Sequence, residues 1–443
     1  MKKNYNTIKT NFNKKIEIHF DGGRITSDTG LILHREFEKK IEFMEMIKRY
    51  VKFRKRGTIH DDESCIRQEV YSFIAGYEDN IDANHLRCDP TLQNVVGKEE
   101  LASQPTLSRF ENRYDMTDVW QFQRGNWAVV DKVESVEKIK EIFLDVDMTD
   151  VPTHGKQEGG RNHGFYNDHI RQIMLCFNDK GSCVKGSLRR GTANPSPRVI
   201  NFMKEPIYRY LEKGVKVKVR GDIAIGSPEF YEFCEKRGIE YFIGFSTNSV
   251  LESLIKENKS LWQEDKENPG VFFGEVQYKA TRWKKERRIC FKIKTPEGQL
   301  FPEIRCILTD SVEPAEKVIS IYNERGTCEN YIKEGKLGFF WTRLGLHKFS
   351  ASAFRLQIMI LAYNFNNLLR HFCMPDILKN SHIQTIRTKL IKIGSRLVKR
   401  GRKLIFRCAE SYPYYDIFYT TWRNILNFSF PPKVDSPLVE KTV

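Results

Sequence analysis

Apolar residues recur at spacings of three and four in GLILHREFEKKIEFMEMIKRYV, from Gly30, and again in ESCIRQEVYSFIAGY, from Glu63. That period predicts helices through most of the stretch from Ser27 to Val133. From Lys138 the period changes to two. KIKEIFLDVDMT alternates as a strand, and HIRQIMLCFNDKGSCVKGSLRRG reads as two strands joined through Asn178-Asp179-Lys180-Gly181. A helix is predicted from about Pro197 to Lys213, then the strand VKVKVRGD, the helix PEFYEFCEKRG and the strand IEYFIGF. Between Ser249 and about Asp310 the pattern is one of short strands and polar turns, in GVFFGEVQYKA, ERRICFKIKTPEG and EIRCILTD. Helical periodicity resumes at Glu313 and fills Ser352 to Lys392, before the basic, strand-like GSRLVKRGRKLIFRC.

The order β-β-β-α-β-α-β is that of an RNase H-like sheet. The expected fold class is therefore an α/β RNase H-like catalytic core with a β-rich insertion, plus helical N-terminal and C-terminal regions. Along the chain this predicts a helical region at 1–135 and a first part of the core at 136–248. The insertion follows at 249–312, a second, helical part of the core at 313–392, and a basic C-terminal region at 393–443.

Composition narrows the function. With 443 residues, 40% of them hydrophobic, the chain is long enough for two or three packed domains. Lysine plus arginine outnumber aspartate plus glutamate by 73 to 57, a net charge of +16 that favours a polyanionic partner without separating DNA, RNA and anionic membrane. The ten cysteines stand singly with no C-x-x-C pair, which fits reduced thiols in a cytosolic protein and disfavours structural zinc. The N-terminus MKKNYNTIKTNFNKK lacks the apolar core of a signal peptide. The longest apolar stretch, Ala353 to Leu369, is interrupted by Arg355, Gln357 and three asparagines, so it is expected to be a buried helix and no membrane role is indicated.

Phosphodiester chemistry by two metal ions needs carboxylates converging on one point, because bare acids that close would repel and partly protonate. Asp147, in LDVDMT, and Asp222, closing VKVKVRGD, stand at the ends of predicted strands that lie side by side in an RNase H-like sheet. Asp145 and Asp150 compete with Asp147 for the first place. A third acid is expected from a helix. In SIYNERGTCENYIKEGKLG, Tyr322, Arg325, Glu329 and Lys336 form Y-x2-R-x3-E-x6-K. On an α-helix this spacing places a carboxylate, two cations and a phenol along one stripe, a surface suited to phosphates. Glu324 and Glu334 are rivals that do not satisfy all the spacings. The plainer alternative is a solvated helix face with ion pairs.

With these residues the chain resembles the DDE transposases of bacterial insertion sequences, in the insertion sequence 1380 group, which carries the Y-R-E-K motif and a β-rich insertion before the catalytic glutamate. The resemblance rests on LDVDMTDVPTHGKQEGGRNHGFY, VRGDIAIGSPEFYEFCEKRGIEYFIGFSTN, ERGTCENYIKEGKLG, HKFSASAFRLQIMILAYNFNNLLR and SDTGLILHREFE, through nearly the whole chain. It implies Asp147, Asp222 and Glu329 as catalytic, metal-holding acids, the Met-Thr after Asp147 matching the family's D-x-T. It also implies Mg2+ or Mn2+ as cofactor, and phosphate contacts by Tyr322, Arg325 and Lys336. The implied partners are double-stranded DNA, as terminal inverted repeats and as target, and a second copy of the chain on paired ends. The implied activity is cleavage that frees a 3'-OH followed by strand transfer, in a cytoplasmic, nucleoid-associated bacterial protein.

Further residues carry two readings each. SQPTLSRFENRY offers Ser103 as an N-cap, Pro105 in the first turn and a face with Ser108, Arg109, Asn112 and Arg113, which is either a recognition helix for a major groove or an ordinary surface helix. His154, His163 and His169 lack metal spacing and read as loop or substrate-contact histidines. In KATRWKKERR, Trp283 among cations suits stacking of a flipped base, or else a half-buried place on an edge hairpin. Lys399, Arg400, Arg402 and Lys403 form a second phosphate-contacting patch or a solvated strand edge. The rival functions are another RNase H-like DNA nuclease, such as a junction resolvase, and a transposase-derived repressor that binds DNA without cutting it.

Overall fold

The computed structural model describes residues 7–55, 59–136, 139–163, 168–191, 198–295 and 301–430, without the side chains of His163 and Leu261. The chain forms two compact units.

The unit made of 126–337 and 341–360 is built on a ten-stranded mixed sheet. Its strands are β1 Glu141–Pro152, β2 Arg161–His163, β3 Asp168–Asn178, β4 Cys183–Arg190, β5 Lys216–Gly221, β6 Glu240–Phe245, β7 Gln263–Glu264, β8 Val271–Tyr278, β9 Arg287–Lys294 and β10 Glu303–Thr309. They lie in the order β7-β8-β9-β10-β6-β5-β1-β3-β2, with β4 also paired to β3. β1, β5 and β6 run parallel, joined by the crossover helices α1 Val199–Leu211 and α2 Pro228–Glu235, and the other pairs are antiparallel. From β1 through β6 the elements follow the predicted order with one addition, the short strand β2, which the sequence pattern did not indicate. The turn from β3 to β4 closes through Gly181 at φ +79°, where a Cβ would come within 2.9 Å of the Tyr331 ring.

Alternation along the central strands sorts their side chains. Ile142, Leu144 and Val146 of β1, with Val217 and Val219 of β5, join the core that includes Val199, Met203, Ile207 and Phe230 of α1 and α2. The opposite face carries Phe143, Asp145 and Asp147 of β1 and Lys218 and Arg220 of β5. There Phe143 packs on a second core formed with Val318, Ile319 and Ile321 of helix α3 Ala315–Asn323. The strands expected as an insertion at 249–312 are continuous with this sheet: β10 pairs with β6 from Cys306–Phe245 to Thr309–Phe242. Their pairing covers what would otherwise be an open edge at β6.

The other unit comprises 1–125, 338–340 and 361–443. Its helices include Leu31–Lys40, Asp62–Ala75, Pro90–Val96 and Gln104–Glu111, and a three-stranded sheet pairs Ser395–Arg400 with both Lys403–Cys408 and Arg24–Thr26. Packing therefore divides the chain differently from the linear segments 313–392 and 393–443. Residues 361–392 group with the N-terminal helices because Arg387 donates to the carbonyls of Phe73 and Ile74, Phe365 stacks on Phe37, and Asn366 meets the buried His34. Among the described residues no helix is long and apolar enough to cross a membrane.

Candidate active site

Pairing of β1 with β5 ends at Val146–Gly221, so Asp147 and Asp222 are the next residues on two neighbouring strands. β1 itself continues to Pro152, paired with β3, which places Asp147 within the strand and not at its end. Asp222 caps the single 3-10 turn Ile223–Ile225, accepting from the Ala224 N–H at 3.0 Å. Asp147 accepts from the Met148 N–H at 2.7 Å.

The Y-R-E-K stripe does not lie on one continuous helix. α3 ends at Asn323 and α4 Gly326–Gly338 begins three residues later, leaving Arg325 in the link between them. The break turns Arg325 toward the sheet. Its Nη2 donates to Asp147 at 2.6 Å and its Nη1 to Glu329 at 3.0 Å, so one guanidinium joins the first and third candidate acids. Tyr322, near the end of α3, lies against β6 where Gly244 leaves room: a Cβ there would meet the phenol oxygen at 2.6 Å. Lys336 is half-buried in the last turn of α4. A cavity of about 620 Å³ opens beside Asp222 and Tyr322, lined also by Gly244, Ser246, Thr247 and Arg305 among others.

Electrostatics tie the residues together. Burial raises the Asp147 carboxyl above its ordinary range; Arg325 opposes this, while Asp222 and Glu329 push it further up. Burial likewise raises the Tyr322 phenol, with Arg325 opposing and the carboxylates of Asp222, Asp147 and Glu329 adding to the rise. Asp147 is thus within electrostatic reach of both Asp222 and Glu329, and Tyr322 of all three. Only Glu329 is largely exposed, 63% at the side chain against 15% for Asp147.

Asp145, the rival for the first acid, is engaged elsewhere. It lies directly opposite Arg220 in the β1–β5 register and receives two hydrogen bonds from it, at 2.7 and 2.8 Å. Arg220 continues to the Ile321 carbonyl at 3.0 Å and to Glu324 at 3.1 Å. Asp150 accepts from Gln172, and Glu334 is buried on α4. Sequence reasoning missed Arg220, although an arginine on the polar face of a central strand, two residues before Asp222, signals a buried carboxylate partner.

Among the described residues no three His, Cys, Asp or Glu side chains lie close enough together to hold a metal ion. The donor chemistry nonetheless fits a hard divalent cation: three carboxylates, with Arg325 supplying the positive charge between two of them in this structure. Asp147, Asp222 and Glu329 are the side chains that would hold Mg2+ or Mn2+.

Trp283 is buried, 6% exposed, edge-on to Tyr231, Phe245 and Tyr278 with Arg287 over its ring at 5.2 Å. Arg109 is exposed on the helix Gln104–Glu111 and donates to Thr106, whereas Arg113 pairs with the buried Asp62. Ser103 stands at the N-cap of that helix without a side-chain hydrogen bond to its backbone. His154 and His169 are exposed.

No curated protein is similar to the chain. The family model described as Transposase DDE domain group 1 matches residues 8–429. That match spans Asp147, Asp222, Tyr322, Arg325, Glu329 and Lys336 together with nearly all of both units, and the chain belongs to the DDE transposases.

Proposed function

We propose that the protein is an insertion-sequence transposase of the insertion sequence 1380 group, which binds terminal inverted repeats, cleaves the element's ends and joins them to target DNA. The observation that carries this reading is the meeting of Asp147 and Glu329 on Arg325 at the point where β1 and β5 part and Asp222 begins its cap. Family membership supplies the reaction class, and the strand order β3-β1-β5-β6 with crossover helices supports an RNase H-like core.

In this reading Asp147, Asp222 and Glu329 hold Mg2+ or Mn2+, which when bound activates the attacking oxygen and stabilises the leaving one. Arg325 leaves the carboxylates for the scissile phosphate, a bidentate guanidinium–phosphate contact of the same kind. Tyr322 and Lys336 contact neighbouring phosphates, and Arg109 and Arg113 contact the terminal repeat. Trp283 acts on the processed strand in the sequence-based reading; from its buried place it would have to leave its aromatic neighbours to stack on a base. Activity requires two copies on paired ends.

The test is cleavage of a labelled fragment carrying the element end and its flank, with Mg2+ or Mn2+, by wild type and by Glu329→Gln. Metal-dependent release of a 3'-OH end by wild type alone is the expected result. Binding without cleavage under every metal condition would instead assign the protein as a repressor, and cleavage without joining would assign a nuclease.

A further inference from the structure

The hairpin Ser395–Arg400 and Lys403–Cys408 places cation directly opposite cation. Arg396 faces Arg407, and Arg400 faces Lys403, in one antiparallel register. Like charges in directly opposed positions destabilise a strand pair. Alternation puts all four on the same face, since Val398 and Ile405 form the rung between them. The opposite face is the inward one: Ser395 and Leu397 are buried, whereas Arg396, Arg400, Lys403 and Arg407 are exposed. Gly401 and Arg402 make the tip.

No acid stands close by in the chain. The sequence from 377 to 409 contains no aspartate or glutamate. Among the described residues, none of these four side chains has an ion-pair partner, although Lys392, just before the hairpin, pairs with the buried Asp28. The hairpin also pairs through Arg396–Ile25 with the strand Arg24–Thr26, so it is held in a sheet and does not stand free. A held face with two self-repelling rungs and no carboxylate is built for an external polyanion.

We propose that this face is a second DNA-contacting surface, which lies on the phosphate backbone of duplex DNA and contributes affinity without sequence choice. It rests on the reading of DNA as the substrate. The two cationic rungs are four residues apart, about 13 Å along the strand, close to the roughly 12 Å major-groove width that admits a two-stranded ribbon. The exposed face carries arginine and lysine, the half-buried Val398 and Ile405, and the exposed Ile25 paired with Arg396, with no aromatic side chain and no leucine. A membrane-surface element would present tryptophan, phenylalanine or leucine beside its cations, so the composition favours nucleic acid.

The experiment compares the full-length protein with the variant Arg396→Gln, Arg400→Gln, Lys403→Gln, Arg407→Gln for binding to a short duplex of arbitrary sequence over a range of salt. Each lost phosphate contact removes about 0.9 from the slope of log affinity against log salt, so the slope should become shallower by about 3 to 4. The melting temperature without DNA should hold or rise as the repulsion is relieved. Should the fourfold variant fail to fold, Arg400→Gln with Lys403→Gln at the tip end should lower the slope by about 2. An unchanged slope in a folded variant overturns the proposal while leaving the transposase reading intact, as does an unchanged slope with lost binding to phosphatidylserine vesicles. Failure of the wild type to bind duplex DNA at all overturns both.

Discussion

Arg220 donates two hydrogen bonds to Asp145 across the parallel pair β1–β5, at 2.7 and 2.8 Å, and both side chains are buried. Each partner stands two residues before a candidate catalytic acid, Asp222 or Asp147. Because Arg220 also holds the Ile321 carbonyl and Glu324, it joins the two acid-bearing strands to the segment that leads into Arg325. Arg220 is thus a positioning residue. Arg220→Met leaves Asp145 buried without a counter-charge and should destabilise the protein by about 3 to 5 kcal/mol. Pairing it with Asp145→Leu should restore much of the melting temperature, since an apolar pair of similar volume can replace a buried ion pair. The cleavage rate should stay depressed in the double variant, with terminal-DNA affinity near wild type. Equal recovery of stability and rate would reduce the pair to a stabilising contact.

The three acids should separate binding from chemistry. Asp147→Ala, Asp222→Ala and Glu329→Ala are each expected to abolish metal-dependent cleavage while binding to the element end survives. Stability should not follow activity: burial and the neighbouring carboxylates already disfavour the charged form of Asp147, so Asp147→Asn should melt no lower than wild type. Retained nicking in any one variant would transfer its role to a neighbour such as Glu334.

Much of this site was legible in the chain because strands advertise their faces. The two-residue period of LDVDMT and VKVKVRGD puts Asp145 and Asp147 on one face and Arg220 and Asp222 on another strand's matching face, and the parallel register brings them together. The helix break was harder to see. Tyr322, Arg325 and Glu329 at spacings of three and four read as one helix, and the only local signal against it is Gly326, directly after the link. Partners remote in sequence left no trace. Period two identifies the strand EIRCILTD, but nothing in it says that Cys306 will pair with Phe245. The apolar stretch from Ala353 was correctly read as buried, yet its pattern could not say that Phe365 packs on Phe37.

Trp283 shows how local charge misleads. Lysines and arginines on both sides suggest a solvent-facing ring, but Tyr231, Phe245 and Tyr278 arrive from three other elements and cover it. Trp283→Ala should therefore cost about 3 to 5 kcal/mol of stability, the usual effect of deleting a large core side chain. Trp283→Phe should recover most of it. Chemical denaturation of both variants checks this, and a Trp283→Ala protein as stable as wild type, with slowed strand processing, would return the residue to a stacking role.

In the other unit, the buried His34 should make stability depend on pH. Its imidazole meets Asn366 at 3.2 Å, and burial pushes its pKa down from 6.5 to about 4. The folded state therefore keeps His34 neutral while the unfolded chain takes up a proton near pH 6.5. Stability from this group is fully present above that pH and is lost as pH falls from 6.5 toward 4, by about 3 kcal/mol in all. His34→Gln keeps a polar partner for Asn366 and removes the titration. Denaturation of wild type and variant at intervals between pH 7 and pH 4.5 should give curves that converge as pH falls, the wild type losing more. Parallel curves would mean that His34 gains its proton in the folded state as easily as in the unfolded one, through an opening of the helix Leu31–Lys40.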